Sequence, residues 1–136
     1  MKLEHIALWT KNLEEMKDFY MEYLNGKPGT KYSAEHEFSS LFQSYFLTFD
    51  AGSRLEIMQM DTIPDINTQR KECIGITHIA FSLSKVEEVQ QLTQRIKDNG
   101  YQVVLEPHFT GDGYYESCVL DPDGNRVEIT VTPEME

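Results

Sequence analysis

Two histidines and two glutamates stand at matching places in a chain that repeats itself. His5-Ile6-Ala7 recurs as His78-Ile79-Ala80, 73 residues on, and Gly52-Ser53-Arg54-Leu55-Glu56-Ile57 recurs as Gly124-Asn125-Arg126-Val127-Glu128-Ile129, 72 residues on. Asn12-Leu13-Glu14-Glu15 is echoed by Lys85-Val86-Glu87-Glu88. Several matches in one order at nearly one offset point to a duplicated module. Each copy contributes one His from its first strand-like run and one Glu from its last. Glu56 lies between Leu55 and Ile57, and Glu128 between Val127 and Ile129. On a strand, that alternation turns both carboxylates away from the aliphatic face. Two imidazole nitrogens and two carboxylate oxygens suit a divalent first-row metal. If the strands pair, the four side chains converge and leave coordination space for water or substrate, as a catalytic metal requires.

The elements that must position them follow from periodicity. Residues 2–9 alternate like a strand. Leu13, Met16, Tyr20, Tyr23 and Leu24 then recur at helical spacing, with Asn12 as the expected N-cap and Asn25-Gly26 as the stop. Strands are expected at 41–49 and 54–60, and a weaker one near 28–35. The second copy reads as a strand at 75–83, a helix at 86–98 with Val86, Val89, Leu92 and Ile96 inward, and strands near 101–106, 114–120 and 126–132. The last two are joined by Asp121-Pro122-Asp123-Gly124-Asn125. The expected class is α+β, two tandem βαβββ modules at about 1–61 and 74–136 within one domain spanning 1–136.

With 136 residues, the chain can bury a core without staples. A net charge of -11 counts against nucleic acid and anionic membrane surfaces as partners. The N-terminus lacks a signal-like apolar stretch, and no run is long enough to span a bilayer. Cys73 and Cys118 have no metal or redox spacing. A cytoplasmic protein is expected.

The residues also carry a family resemblance. His5-Ile6-Ala7 with Phe19-Tyr20, Arg54-Leu55-Glu56-Ile57, the run Gly75 to Phe81, and the run Leu120 to Ile129 resemble the vicinal oxygen chelate superfamily, the glyoxalase/bleomycin-resistance/dioxygenase group. The resemblance covers nearly the whole chain. It implies paired modules whose sheets curve into an open, barrel-like cup around a metal, with the helices outside. It implies His5, Glu56, His78 and Glu128 as ligands of one divalent ion (Zn, Ni, Co, Mn or Fe), because the set is most similar to that of glyoxalase I, a lactoylglutathione lyase. The implied reaction moves a proton next to a carbonyl through a metal-stabilised enediolate, with Glu128 or Glu56 as the base. Other activities of the scaffold stay open at this point: an epimerase, a thiol transferase, a dioxygenase, or a metal-free drug-binding resistance protein. A homodimer is also expected, since the cup in chains of this size is often completed by a second copy.

Trp9 stands where glutathione-dependent members carry Arg, and Met60 where they often have Asn. With Met58 these residues suggest an apolar pocket for a small molecule such as a thiol adduct, with only weak use of glutathione expected. Tyr114 and Tyr115 follow a Gly-Asp-Gly turn, and one of them is expected to face the cavity. His36 and His108 are expected in loops without a metal role. Arg54 and Arg126 are expected to hold turn carboxylates such as Asp50 and Asp121.

Overall fold

The computed structural model describes residues 1–35, 40–65 and 74–132. His36 and Cys73 therefore lie outside the described residues. The chain divides into two compact units, Met1–Thr68 and Gln69–Glu136. Among the described residues each unit follows the βαβββ plan on its own mixed sheet, the first with one extra short strand.

In the first unit, β1 (His5–Trp9) leads to helix α1 (Leu13–Leu24), then β2 (Lys27–Pro28), β3 (Tyr32–Glu35), β4 (Leu41–Thr48) and β5 (Arg54–Gln59). The sheet order is β1-β5-β4-β2, with β3 also paired to β4. The stretch expected as one weak strand near 28–35 is thus two short ones. Strand β1 runs parallel to β5, and β4 antiparallel to it. The helix closes one face. Leu13, Met16, Phe19, Tyr20 and Tyr23 are buried, as are Leu47, Leu55 and Ile57 on β4 and β5. At roughly 1.5–3 kcal/mol per fully buried large side chain, this face carries most of the module's stabilisation.

Asn12 is the N-cap residue of α1, but its side chain makes no capping bond. The amide of Leu13 donates instead to Gln59 Oε1 (2.9 Å), tying the helix start to the end of β5. Asn25 adopts the left-handed conformation that ends the helix, with φ 58°. Gly26 follows where a Cβ would lie 3.1 Å from the Tyr20 carbonyl oxygen and 3.2 Å from the Phe49 ring.

The second unit repeats the plan. Its elements are β6 (His78–Ser82), α2 (Val86–Asp98), β7 (Val103–Phe109), β8 (Tyr115–Leu120) and β9 (Arg126–Val131). The sheet order is β6-β9-β8-β7, with β6 parallel to β9. Helix α2 starts with Glu88 Oε2 accepting from the amides of Ser84 (3.1 Å) and Lys85 (3.0 Å). Val89, Thr93 and Ile96 are buried from α2, and Ser117, Val119, Val127 and Ile129 from the sheet. Thr93 bridges the layers, its hydroxyl 2.6 Å from that of Ser117.

The Asp-Pro-Asp-Gly-Asn turn is held by its first carboxylate. Asp121 Oδ1 accepts from the amides of Asp123 (3.0 Å) and Asn125 (2.9 Å), and Oδ2 from Asn125 Nδ2 (2.7 Å). Gly124 supplies the positive φ, 81°. The turn thereby sets the β8–β9 register that pairs Cys118 with Glu128 and Glu116 with Thr130.

Candidate functional site

In each module the helix covers one face of the sheet, and the His and Glu side chains stand on the other. Strand β1 pairs with β5 so that His5 lies opposite Arg54 and Ala7 opposite Glu56. His5 and Glu56 are therefore diagonal neighbours on one face, with His5 Nε2 3.9 Å from Glu56 Oε1. The other ring nitrogen, Nδ1, is engaged by Glu4 Oε2. Glu4 is itself held by Arg54, whose Nε donates to Glu4 Oε1 at 2.7 Å. Arg54 therefore serves Glu4, where sequence reasoning pointed to a turn carboxylate such as Asp50. The guanidinium also lies 4.2 Å from the centroid of the Phe46 ring. A carboxylate that accepts from the far nitrogen of an imidazole fixes its tautomer and leaves the near nitrogen with a lone pair able to ligate.

The second module repeats the pair. His78 lies opposite Arg126 and Ala80 opposite Glu128, and His78 Nδ1 is 3.1 Å from Glu128 Oε2. Glu128 is mostly shielded, with 19% of its side chain exposed. Burial raises its pKa above the usual carboxylate value; the His78 ring opposes the rise, and Glu116 adds to it. Glu116 shares a side-chain hydrogen bond with Glu128. Cys118, a buried free thiol, lies directly across from Glu128. Burial pushes this thiol up, with a further contribution from the Glu128 charge.

The two modules thus each form a two-donor imidazole–carboxylate pair. Among the described residues, no three His, Cys, Asp or Glu side chains gather into a metal-ligand group. The donor chemistry of each pair nonetheless fits a divalent ion. Metal–ligand bonds of 2.0–2.2 Å at about 90–110° place two ligating atoms roughly 3–3.5 Å apart. The 3.1 Å of the second pair falls within that range, and the 3.9 Å of the first lies a few tenths of an ångström beyond it.

The sequence profile of the Glyoxalase/Bleomycin resistance protein/Dioxygenase superfamily matches residues 2–129. The chain belongs to this superfamily. It is 27% identical over 131 residues to the uncharacterised protein YqjT of Bacillus subtilis (strain 168), covering 93% of this chain and 96% of that one. Glyoxalase I from Zea mays has the same fold, with TM-score 0.75 and 21% identity over 98% of this chain; the match spans 46% of the maize chain. A glyoxalase family protein from Enterococcus faecalis is similar at TM-score 0.73 and 23% identity, covering 95% of this chain and 96% of that one. The superfamily includes enzymes and non-catalytic members, and its members commonly hold a divalent metal.

The remaining expected residues divide by face. Trp9 lies in register with Met58 on the His5/Glu56 face and is 44% exposed. Its ring stands edge-on to Phe42, centroids 6.1 Å apart, and Phe42 in turn meets Tyr32 at 6.1 Å. Met60 follows the end of β5 and is half-buried. Tyr115 is on the opposite face, against α2, where its hydroxyl accepts from Gln90 Nε2 at 2.9 Å. Tyr114 immediately precedes β8, on the alternation of Glu116 and Cys118. His108 is on β7 opposite Glu116, a strand position in place of the expected loop, and its Nδ1 is 2.7 Å from the Glu106 carbonyl oxygen.

Sequence reasoning missed three residues. In the sequence Glu4 is only one member of an alternating strand. Glu116 and Thr130 lie within strands that were expected, but their place beside Glu128 depends on register. The signal available in the sequence was the repeat itself: counting from Glu56 and Glu128 pairs Met58 with Thr130, and Ser44 with Glu116.

Proposed function

We propose that this chain is a metal-dependent lyase or isomerase of the glyoxalase I kind, acting on a small substrate with vicinal oxygens. The observation that carries this reading is the imidazole–carboxylate pair repeated at the same register in both modules. His5, Glu56, His78 and Glu128 would together hold one divalent ion per site, among Zn, Ni, Co, Mn and Fe. Bound there, the metal supplies a Lewis acid for two neighbouring oxygens.

The chain's own groups do the rest. Glu128 takes a proton from the carbon beside the carbonyl and returns it to the neighbouring carbon. Glu116 gives that carboxylate a neighbour able to share a proton, whereas Glu56 lies in register with the apolar Phe46. Glu56 is the matching ligand and the second carboxylate able to act as base. Glu4 holds His5 in the tautomer that leaves Nε2 to ligate. In the first module Trp9, Met58 and Met60 are the apolar candidates for contact with substrate, and in the second Tyr114 is the polar candidate. We also infer a cytoplasmic homodimer, in which the four ligands come from one chain or from two. Among the described residues no helix is long and apolar enough to cross a membrane.

The test is metal content after purification without chelator, followed by solvent-deuterium incorporation next to the carbonyl. The panel is a methylglyoxal–glutathione hemithioacetal and a set of 2-substituted acyl thioesters. Exchange that needs metal supports the reading. A metal-loaded protein that exchanges none of them moves the thiol-transferase or dioxygenase alternative ahead. The line of Trp9, Phe42 and Tyr32 supports a second reading, a metal-free binder of aromatic or cationic small molecules. Protein that holds no metal yet binds an aromatic cation would establish it.

A further inference from the structure

The two sheets repeat one framework with one row changed. Beside the row that holds Glu56, the first sheet carries Trp9, Met58 and Ser44 in register. Beside the row that holds Glu128, the second carries Ser82, Thr130 and Glu116. A row led by Trp9 and Met58 in one module is thus a row of hydroxyls and a carboxylate in the other.

Thr130 is on the same face of β9 as Glu128, two residues on, roughly 6–7 Å along the strand. It is only 6% exposed. Among the described residues its Oγ1 has no hydrogen-bond partner. Buried hydroxyls without partners are costly and rare. The fold itself does not demand one here, since the equivalent position in the first sheet is Met58. Glu116 lies directly across from Thr130, so the two Cβ atoms are about 4.5–5.5 Å apart. A donor hydroxyl and an acceptor carboxylate side by side match one functional group, a substrate hydroxyl, which accepts from the first and donates to the second.

We propose that Thr130 is a substrate-binding residue that selects, with Glu116, substrates carrying a hydroxyl next to the two vicinal oxygens. This inference rests on the metal reading of the His/Glu pairs and names the substrate class for that site: small hydroxylated carbonyl compounds.

The test uses cobalt(II)-loaded protein and two bidentate oxygen probes, acetohydroxamate and its hydroxylated relative glycolohydroxamate. Binding is followed by the visible absorption of cobalt, and cobalt affinity by competition with a chelator. Wild type should prefer glycolohydroxamate by about tenfold, the worth of roughly one hydrogen bond. Thr130→Val, which keeps the shape, should lose that preference while retaining cobalt affinity and a melting temperature no lower than wild type. Thr130→Ser should keep the preference, and Thr130→Ala should lose it. Equal affinity of wild type for the two probes, or a preference that survives in Thr130→Val and Thr130→Ala, overturns the role of Thr130 and leaves the metal reading standing. Wild type that holds no cobalt overturns the metal reading, and this inference with it.

Discussion

His5 and His78 stand at the first position of their strands, each with a ring nitrogen within 4 Å of a glutamate on the neighbouring strand. A single substitution at either tests the ligand assignment. His78→Ala removes an imidazole with no spare neighbour of the same kind in its pair, so calorimetric titration with divalent metal should show affinity reduced by at least tenfold. Equal affinity in the two proteins would remove the central claim. Glu128→Gln keeps a ligating oxygen but no longer accepts a proton. Its turnover in the deuterium-exchange assay should fall a hundredfold or more, the order contributed by a positioned general base, while metal affinity falls less. A parallel loss of both would reduce Glu128 to a ligand only.

At the scale of elements, turns and small polar clusters hold the strands in register. The Asp121 carboxylate is buried and satisfies two backbone amides and the Asn125 side chain. Asp121→Ala strands those donors, and the expected cost is about 1–3 kcal/mol in urea unfolding. In the first module, Glu14 on α1 accepts from Lys31 at 3.0 Å and from the Tyr45 hydroxyl at 2.9 Å, and Lys17 lies 3.0 Å away. The Lys31 bond, followed by Lys17, lowers the Glu14 carboxyl from 4.5 to about 2. A depressed carboxylate contributes stability that is complete above its unfolded value. That contribution is lost as the pH falls from about 4.5 toward 2. Because about half of the Glu14 side chain is exposed, the contribution is small, about 0.2–1 kcal/mol. The stability gap between wild type and Glu14→Gln should therefore be open at pH 6 and closed by pH 2. A gap independent of pH would show that the lysines do not act through the charge of Glu14.

For the whole molecule, each module has a core independent of the His/Glu face. The first rests on Met16, Phe19, Tyr20 and Ile57, and the second on Val89, Ile96, Val127 and Ile129. On the proposed metal-dependent reading, chelator should leave circular dichroism nearly unchanged while abolishing exchange activity. Unfolding on chelation would make the metal structural. The homodimer reading is checked by light scattering at micromolar concentration, where a monomer would place all four proposed ligands in one chain.

The sequence determined what is local or repeated. Helical spacing marks both helices to within a residue, and duplication marks His5, Glu56, His78 and Glu128 as equivalent pairs. Alternation alone placed both glutamates on the face away from the aliphatic core. The tertiary structure decided what depends on register between strands distant along the chain. It turned Tyr115 against α2, gave Arg54 to Glu4, and moved the capping of α1 from Asn12 to Gln59. It also set Glu116 and Thr130 beside Glu128. Helical period and strand alternation are properties of adjacent residues, so they can be read along the chain. Which residue lies across from which is fixed by turns such as Asp121 to Asn125 and by packing on the helix, and one residue of slip there would reverse every face.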